Sequence, residues 1–277
     1  WVIRGVRGLR RKTEGQGEMV SAFQDEIRGF GFPLTESELV KINAFRQRVG
    51  RPALKTSPGL RFLVHGKNKE GFWGFKEFEE QTVDVMDCFD VLYPELQLIV
   101  EVDHSAGHAK FREDGLHVGH MNVKYGGKQK ILRDTLMTEG CTMVAHEAYV
   151  GKAKGMRQVL WERGLYVDGM SANPKAEKEK RMDLVLSDLP DFKHEKTALQ
   201  HTVESRGHIL LLSPKYHPEV AGVGIEYSWG MSKLKFRREI NDEVPKHLHD
   251  NIVASMCRES ILTLGRVRRF ARRCRDY

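Results

Sequence analysis

Short β-rich apolar runs punctuate the chain, and between them apolar side chains recur at helical spacing. Met19-Val20-Ser21-Ala22-Phe23 reads as a strand, closed by the turn residues of Gly29 to Pro33. A helix over 35–45 follows, because Thr35 and Glu38 stand three apart, as a capping box requires. Arg61-Phe62-Leu63-Val64 gives a second strand. From Lys76 to Leu92, Phe78, Val85, Phe89 and Leu92 form one apolar stripe, and Asp84, Asp87 and Asp90 take polar positions that read as solvated. Pro94 ends that helix, and the run Leu96 to Val102 follows as a strand. Strand, helix and strand in succession suit a right-handed crossover in a mixed sheet.

Past Glu113 the pattern becomes polar, glycine-containing and irregular as far as about His201, apart from a helix near 154–163 that stops at Gly164. This interval, about 113–200, reads as an insertion. Ile209 to Leu212 returns as a strand, a helix covers about 225–238, and another covers 251–264 beyond Pro245. The expected organisation is a basic leader over 1–12, one α/β domain over 13–265 that carries the insertion, and a basic tail over 266–277. Starting at Trp1 rather than Met, the chain looks like a fragment.

Composition changes this picture in three ways. Apolar residues at 40% and charged residues at 30% fit a globular protein. No apolar run approaches the roughly 18 residues a membrane span needs, so no membrane partner is expected. Cys88, Cys141, Cys257 and Cys274 fall at no paired spacing, which argues against both a disulfide framework and a cysteine zinc site. The net charge of +7 is unevenly placed: Arg4, Arg7, Arg10, Arg11 and Lys12 sit at one end, and Arg266, Arg268, Arg269, Arg272, Arg273 and Arg275 at the other. These eleven cations exceed the net charge, so the remainder is mildly acidic. Basic ends suit phosphate contact, although solvated tails would look the same, and an acidic middle suits a carboxylate metal site.

Two carboxylates stand where chemistry is plausible. Asp103 ends the central strand, and ligands of open α/β sheets bind beyond strand ends; a loop-initiating aspartate is the plain alternative. On the 225–238 helix, Ile225, Trp229, Ser232 and Phe236 share one side, and Glu226, Gly230, Lys233 and Arg237 share the adjacent one. That places Glu226 towards a cleft, with two cations suited to phosphates; a solvated helix face explains the same charges. A third acid would come from the first strand, with Asp25 chosen and Glu26 or Glu18 as substitutes. Converging carboxylates are what Mg²⁺, a hard ion, requires. His104, His108, His117 and His120 raise a zinc alternative, weakened by the missing cysteine pair and the intervening Gly107, Gly115 and Gly119. His108 has a second reading, orienting a carboxylate or contacting a phosphate.

Three segments resemble a known family. Asp103-His104-Ser105-Ala106-Gly107-His108 resembles the second-aspartate motif of the Tc1/mariner-related DDE transposases. Leu212 to Glu219, followed by Gly224-Ile225-Glu226-Tyr227-Ser228-Trp229-Gly230, resembles their third-acid motif. Met121 to Gln129 and Leu132-Arg133-Asp134-Thr135 look like the insert of a divergent branch found in eukaryotic repetitive elements, and the arginine-rich end resembles that branch's C-terminus. The resemblance implies an RNase H-like mixed sheet flanked by helices, with a large polar insertion between the second and third catalytic acids. It also implies Asp25, Asp103 and Glu226 as catalytic metal ligands, Mg²⁺ or Mn²⁺ as cofactor, and cleavage and strand transfer at transposon ends, with target DNA as partner. His108, Lys233, Arg237, Arg268, Arg269, Arg272 and Arg273 are the expected DNA contacts, the nucleus is the expected compartment, and a homodimer is left open. A decayed or recruited DNA-binding module is the alternative. One departure stands out: Val220-Ala221-Gly222-Val223-Gly224 replaces the family's shorter link before the third acid.

Overall fold

A computed structural model describes residues 17–66, 68–105, 107–138, 149–240 and 245–276; the 1–12 leader and Cys141 lie outside them. Internal contacts divide the chain into two compact units, one drawn from the chain up to His104 and again from Gly207 onward, the other Ser105–Arg206. The second extends further at both ends than the expected insertion. In chain order the first unit contributes β1 (Gly17–Ala22), β2 (Gln24–Asp25), β3 (Gly29–Phe30), α1 (Glu36–Arg48), β4 (Leu60–His65), α2 (Phe75–Leu92) and β5 (Ile99–Val102). The second contains α3 (Met156–Glu162), α4 (Met182–Ser187), α5 (Pro190–Lys193) and α6 (Ala198–Glu204). Back in the first come β6 (Ile209–Leu212), α7 (Ile225–Glu239), α8 (Leu248–Ser255) and α9 (Leu264–Arg275).

The protein is mixed α/β, but its described strands form three two-stranded sheets rather than one. β1 runs antiparallel to β4 with Val20 opposite Phe62, β2 and β3 make a small hairpin, and β5 runs parallel to β6 with Val100 opposite Leu210. The start of α1 is fixed as its sequence suggests: the Glu38 amide donates to the Thr35 hydroxyl and the Thr35 amide to the Glu38 carboxylate.

Three expectations need correcting. Asp84 and Asp87 are not solvated, and Asp90, its side chain 31% exposed, is partly covered and paired. Asp87 is fully buried, and both it and Asp84 accept from Arg46 Nη1 at 2.6 Å, while Arg51 and Arg61 close the network; Asp90 pairs with His208 Nε2 at 2.8 Å. The stripe rule failed because α1 covers the polar side of α2, so that flank carries matched charges instead of facing water. A helix over 251–264 is also wrong: α8 stops at Ser255, and Thr263 caps a new helix, its hydroxyl accepting from the Arg266 amide. The basic tail is therefore α9. Finally, besides the expected helix, which is α3, the interval read as irregular holds α4, α5 and α6, and α3, α4 and α5 pack around a core that includes Leu116, Leu132, Val159, Leu160, Leu186 and Phe192.

In the first unit, Phe30, Met256, Ile261, Leu262 and Val267 form a core on which Ile225 and Trp229 pack, with the Trp229 ring edge-on to Phe30 at 5.3 Å between centroids. Ser228 and Ser232 are the buried residues of α7, whereas Glu226, Gly230, Lys233 and Arg237 are exposed, so the two faces fall as the periodicity indicates. Cys88 is inaccessible inside α2, and burial, then the neighbouring Asp87 charge, pushes its thiol up to about 12. No described helix is long and apolar enough to cross a membrane.

Candidate nucleic-acid interface and the acid-bearing turn

The turn Pro218–Gly224 is the hub of the first unit's candidate site, touching β2, β5, α7 and α9. Gly222, Val223 and Gly224 are left-handed in succession, with φ of 54°, 52° and 80°. For β-branched Val223 this is a costly conformation. Gly224 is required twice over, since a Cβ there would also lie 2.7 Å from the carbonyl carbon of Phe270 in α9. Gln24 ties the turn down: its Nε2 donates to the Val223 carbonyl at 3.0 Å, and its Oε1 accepts from the Ser228 hydroxyl at 2.6 Å. Glu226 lies between these two anchor points, exposed in the first turn of α7, where the helix dipole favours a carboxylate.

The expected ligands are carried by elements that meet at this turn, yet they do not form a metal-ligand set. Asp25 Oδ1 accepts from the amides of Ile27 and Arg28 at 2.7 and 2.5 Å, so it closes the β2–β3 hairpin turn. Its substitutes are also engaged: Glu26 with Arg275 at 2.5 and 2.9 Å, and Glu18 with His249 at 2.6 Å. Asp103 is exposed one residue beyond β5. Among the described residues no three His, Cys, Asp or Glu side chains are grouped as metal ligands would be. The donors as they stand therefore do not fit a Mg²⁺ or Mn²⁺ centre. The same holds for zinc: His117 and His120 pair at 5.1 Å between ring centroids in the second unit, with no third ligand among the described residues. His108 is half-buried in that unit, its amide donating to Ser105 Oγ at 3.2 Å.

Sequence reasoning missed several residues here. Glu101 lies one strand period before Asp103, accepts from the Ser213 hydroxyl at 2.9 Å, and helps burial to raise the Cys274 thiol above its ordinary range. Gln24 and Ser228 carry no sequence signal beyond polarity, because only the fold brings positions 24, 223 and 228 together.

α9 shows the clearest design. At 3.6 residues per turn, Arg266, Arg268, Arg269, Arg272, Arg273 and Arg275 sweep one half of the helix, and Leu264, Val267, Phe270, Ala271 and Cys274 the other. Val267 and Ala271 are fully buried, which fixes the orientation of the arginine half. Some of these arginines hold the helix in place. Arg275 pairs with Glu26, Arg268 Nε donates to the Glu26 carbonyl at 2.8 Å, and Arg266 Nη1 donates to the Ser260 and Ile261 carbonyls. Arg275 foremost, by hydrogen bond and charge, lowers the Glu26 carboxyl below its usual range. Arg273 lies over the Tyr227 ring at 4.9 Å. Arg269 and Arg272 are exposed and make no ion pair among the described residues. The spacing of Leu264, Val267, Ala271 and Cys274 behind Thr263 was the available signal for this helix.

The chain matches no family model, no curated protein and no solved structure.

Proposed function

We propose that the chain is a transposase-related, RNase H-like nuclear protein that binds the DNA backbone through the arginine half of α9, continued by Lys233 and Arg237 on α7. The observation that carries this reading is α9 itself. A helix anchored by the fully buried Val267 and Ala271 presents one sign of charge over its outer half, and Arg269 and Arg272 make no ion pair among the described residues. Such a surface neutralises phosphates and carries little sequence information. Support for the RNase H-like reading is the order of elements, with Asp103 after β5 and Glu226 in the first turn of α7, together with the motif resemblance.

The test is fluorescence anisotropy on labelled duplexes of unrelated sequence across a salt series. Arg269→Ala/Arg272→Ala should weaken binding equally on all of them and flatten the slope of log affinity against log salt by about 1.8, about 0.9 per lost phosphate contact. An unchanged slope sinks the reading.

A second reading, DNA strand cutting at Asp103 and Glu226, is favoured by one observation: β2, β5 and α7 all meet at the Pro218–Gly224 turn. No catalytic step is assigned through a metal, because the donors as placed do not fit one.

A further inference from the structure

Many cations of the second unit are ion-paired. Arg133 pairs with Glu195, Lys154 with Glu162, Arg163 with Asp191, Arg181 with Asp183, Lys193 with Asp188 and Lys196 with Glu204. By contrast, Lys124, Lys128, Lys130, Lys152 and Arg157 are all exposed and have no acidic partner among the described residues. They are not scattered. Residues 117–133 and 149–161 contain no acid, and the structure stitches these two segments together. The Gly126 amide donates to the Ala153 carbonyl at 2.8 Å, the Met156 amide to Asn122 at 2.8 Å and the Arg157 amide to Val123 at 3.2 Å.

The loop that carries the lysines is built to keep one shape. Gln129 Nε2 donates to the Lys124 and Gly126 carbonyls at 2.9 and 2.7 Å, while its Oε1 accepts from the Asn122 amide at 2.8 Å. Gly126 and Gly127 take φ of 71° and 74°, a pair of left-handed positions that bulkier residues resist. Tyr125 packs edge-on to Tyr149 at 4.4 Å, and Lys152 reaches over the Tyr149 ring at 5.4 Å. A fixed loop that carries exposed lysines with no acidic partner among the described residues presents positive charge that a polyanion would neutralise.

We infer that this lysine loop is a second nucleic-acid-binding surface, in a different unit from α9, that contacts the sugar-phosphate backbone. A polymer that repeats one charge per nucleotide matches several cations with no acid interleaved, whereas an acidic peptide is recognised mainly through central anchor pockets. The proposal goes beyond the α9 reading and does not need it.

The experiment uses the full chain and the triple variant Lys124→Ala/Lys128→Ala/Lys130→Ala, with Lys175→Ala/Lys178→Ala as a charge control on exposed lysines elsewhere in the unit. Thermal melting checks that both fold. Anisotropy with labelled duplex and single-stranded DNA is read across a salt series. The triple variant should lose about ten-fold or more in affinity at moderate salt on at least one of the two probes and flatten the salt slope by about 2.7, while the control stays near the parent. A triple variant that binds both probes like the parent, or a control that loses as much, overturns the proposal. So does lysine-dependent sedimentation with phosphatidylserine vesicles alongside unchanged DNA binding. Losses in the α9 variant alone leave the α9 reading standing and refute the loop; losses in the triple variant alone do the reverse.

Discussion

Gln24 and Val223, 199 positions apart, meet in a 3.0 Å hydrogen bond that pins a left-handed valine. The same amide accepts from the fully buried Ser228 hydroxyl, so a single side chain holds both ends of the segment containing Glu226. Gln24→Met should cost about 1–3 kcal/mol, because it strands the Ser228 hydroxyl and the Val223 carbonyl. If the clamp maintains an unfavourable backbone, a glycine at 223 needs it less. In a Val223→Gly background the cost of Gln24→Met should therefore shrink by at least about 0.5 kcal/mol, read by urea titration of all four proteins. Simple additivity would remove strain from the account.

The Arg46 network tests burial of charge. Arg46 is nearly inaccessible, and its partner Asp87 has no exposure at all. Arg46→Met should destabilise the protein by about 3–5 kcal/mol, since it removes the nearly inaccessible cation paired with the buried Asp87 carboxylate. A loss under about 1 kcal/mol in chemical denaturation would mean that the aspartates are solvated after all.

Acid should unlock α1. Arg28 foremost, then the Thr35 amide, lowers the Glu38 carboxyl from 4.5 to about 2. A depressed folded-state value stabilises the protein fully above the unfolded value and is lost as pH falls from about 4.5 through about 2. The melting-temperature gap between parent and Glu38→Gln should thus be largest above pH 5 and close towards pH 2. A gap constant across that window would show that the carboxylate charge contributes nothing.

Glu226 separates binding from cutting. Its side chain is exposed, so Glu226→Gln should melt like the parent and bind DNA as tightly or slightly more tightly, having shed a negative charge beside a basic face. If the chain nicks DNA in the presence of Mg²⁺, this variant should not. Nicking by a folded Glu226→Gln protein refutes the assignment, and a parent that binds without nicking leaves the module as a binder.

Local chemistry was legible and long-range chemistry was not. Thr35 with Glu38 announced α1, the run at 209–212 announced β6, and the faces of α7 followed from the spacing of Trp229 and Ser232. These features depend on neighbours within a turn or a strand period. Asp87 was misread because its partners, Arg46 and Arg51, lie on or just beyond another helix, and no local pattern shows which side of α2 they will cover. α9 was missed because six arginines outweigh its narrow apolar stripe in any average over the window, although Val267 and Ala271 settle its packing. Asp25 stands at a strand end as expected, but its carboxylate is taken up by the next turn's amides.

Cys88 gives the first unit an internal clock. A thiol held at about 12 within an inaccessible helix face is neither ionised nor reachable at neutral pH, so an alkylating reagent can modify it only when α2 comes away from its neighbours. The rate at which the Cys88 peptide gains the label, measured against the half-exposed Cys257 in the same sample, then reports how often that part of the molecule opens, with no mutation needed to see it.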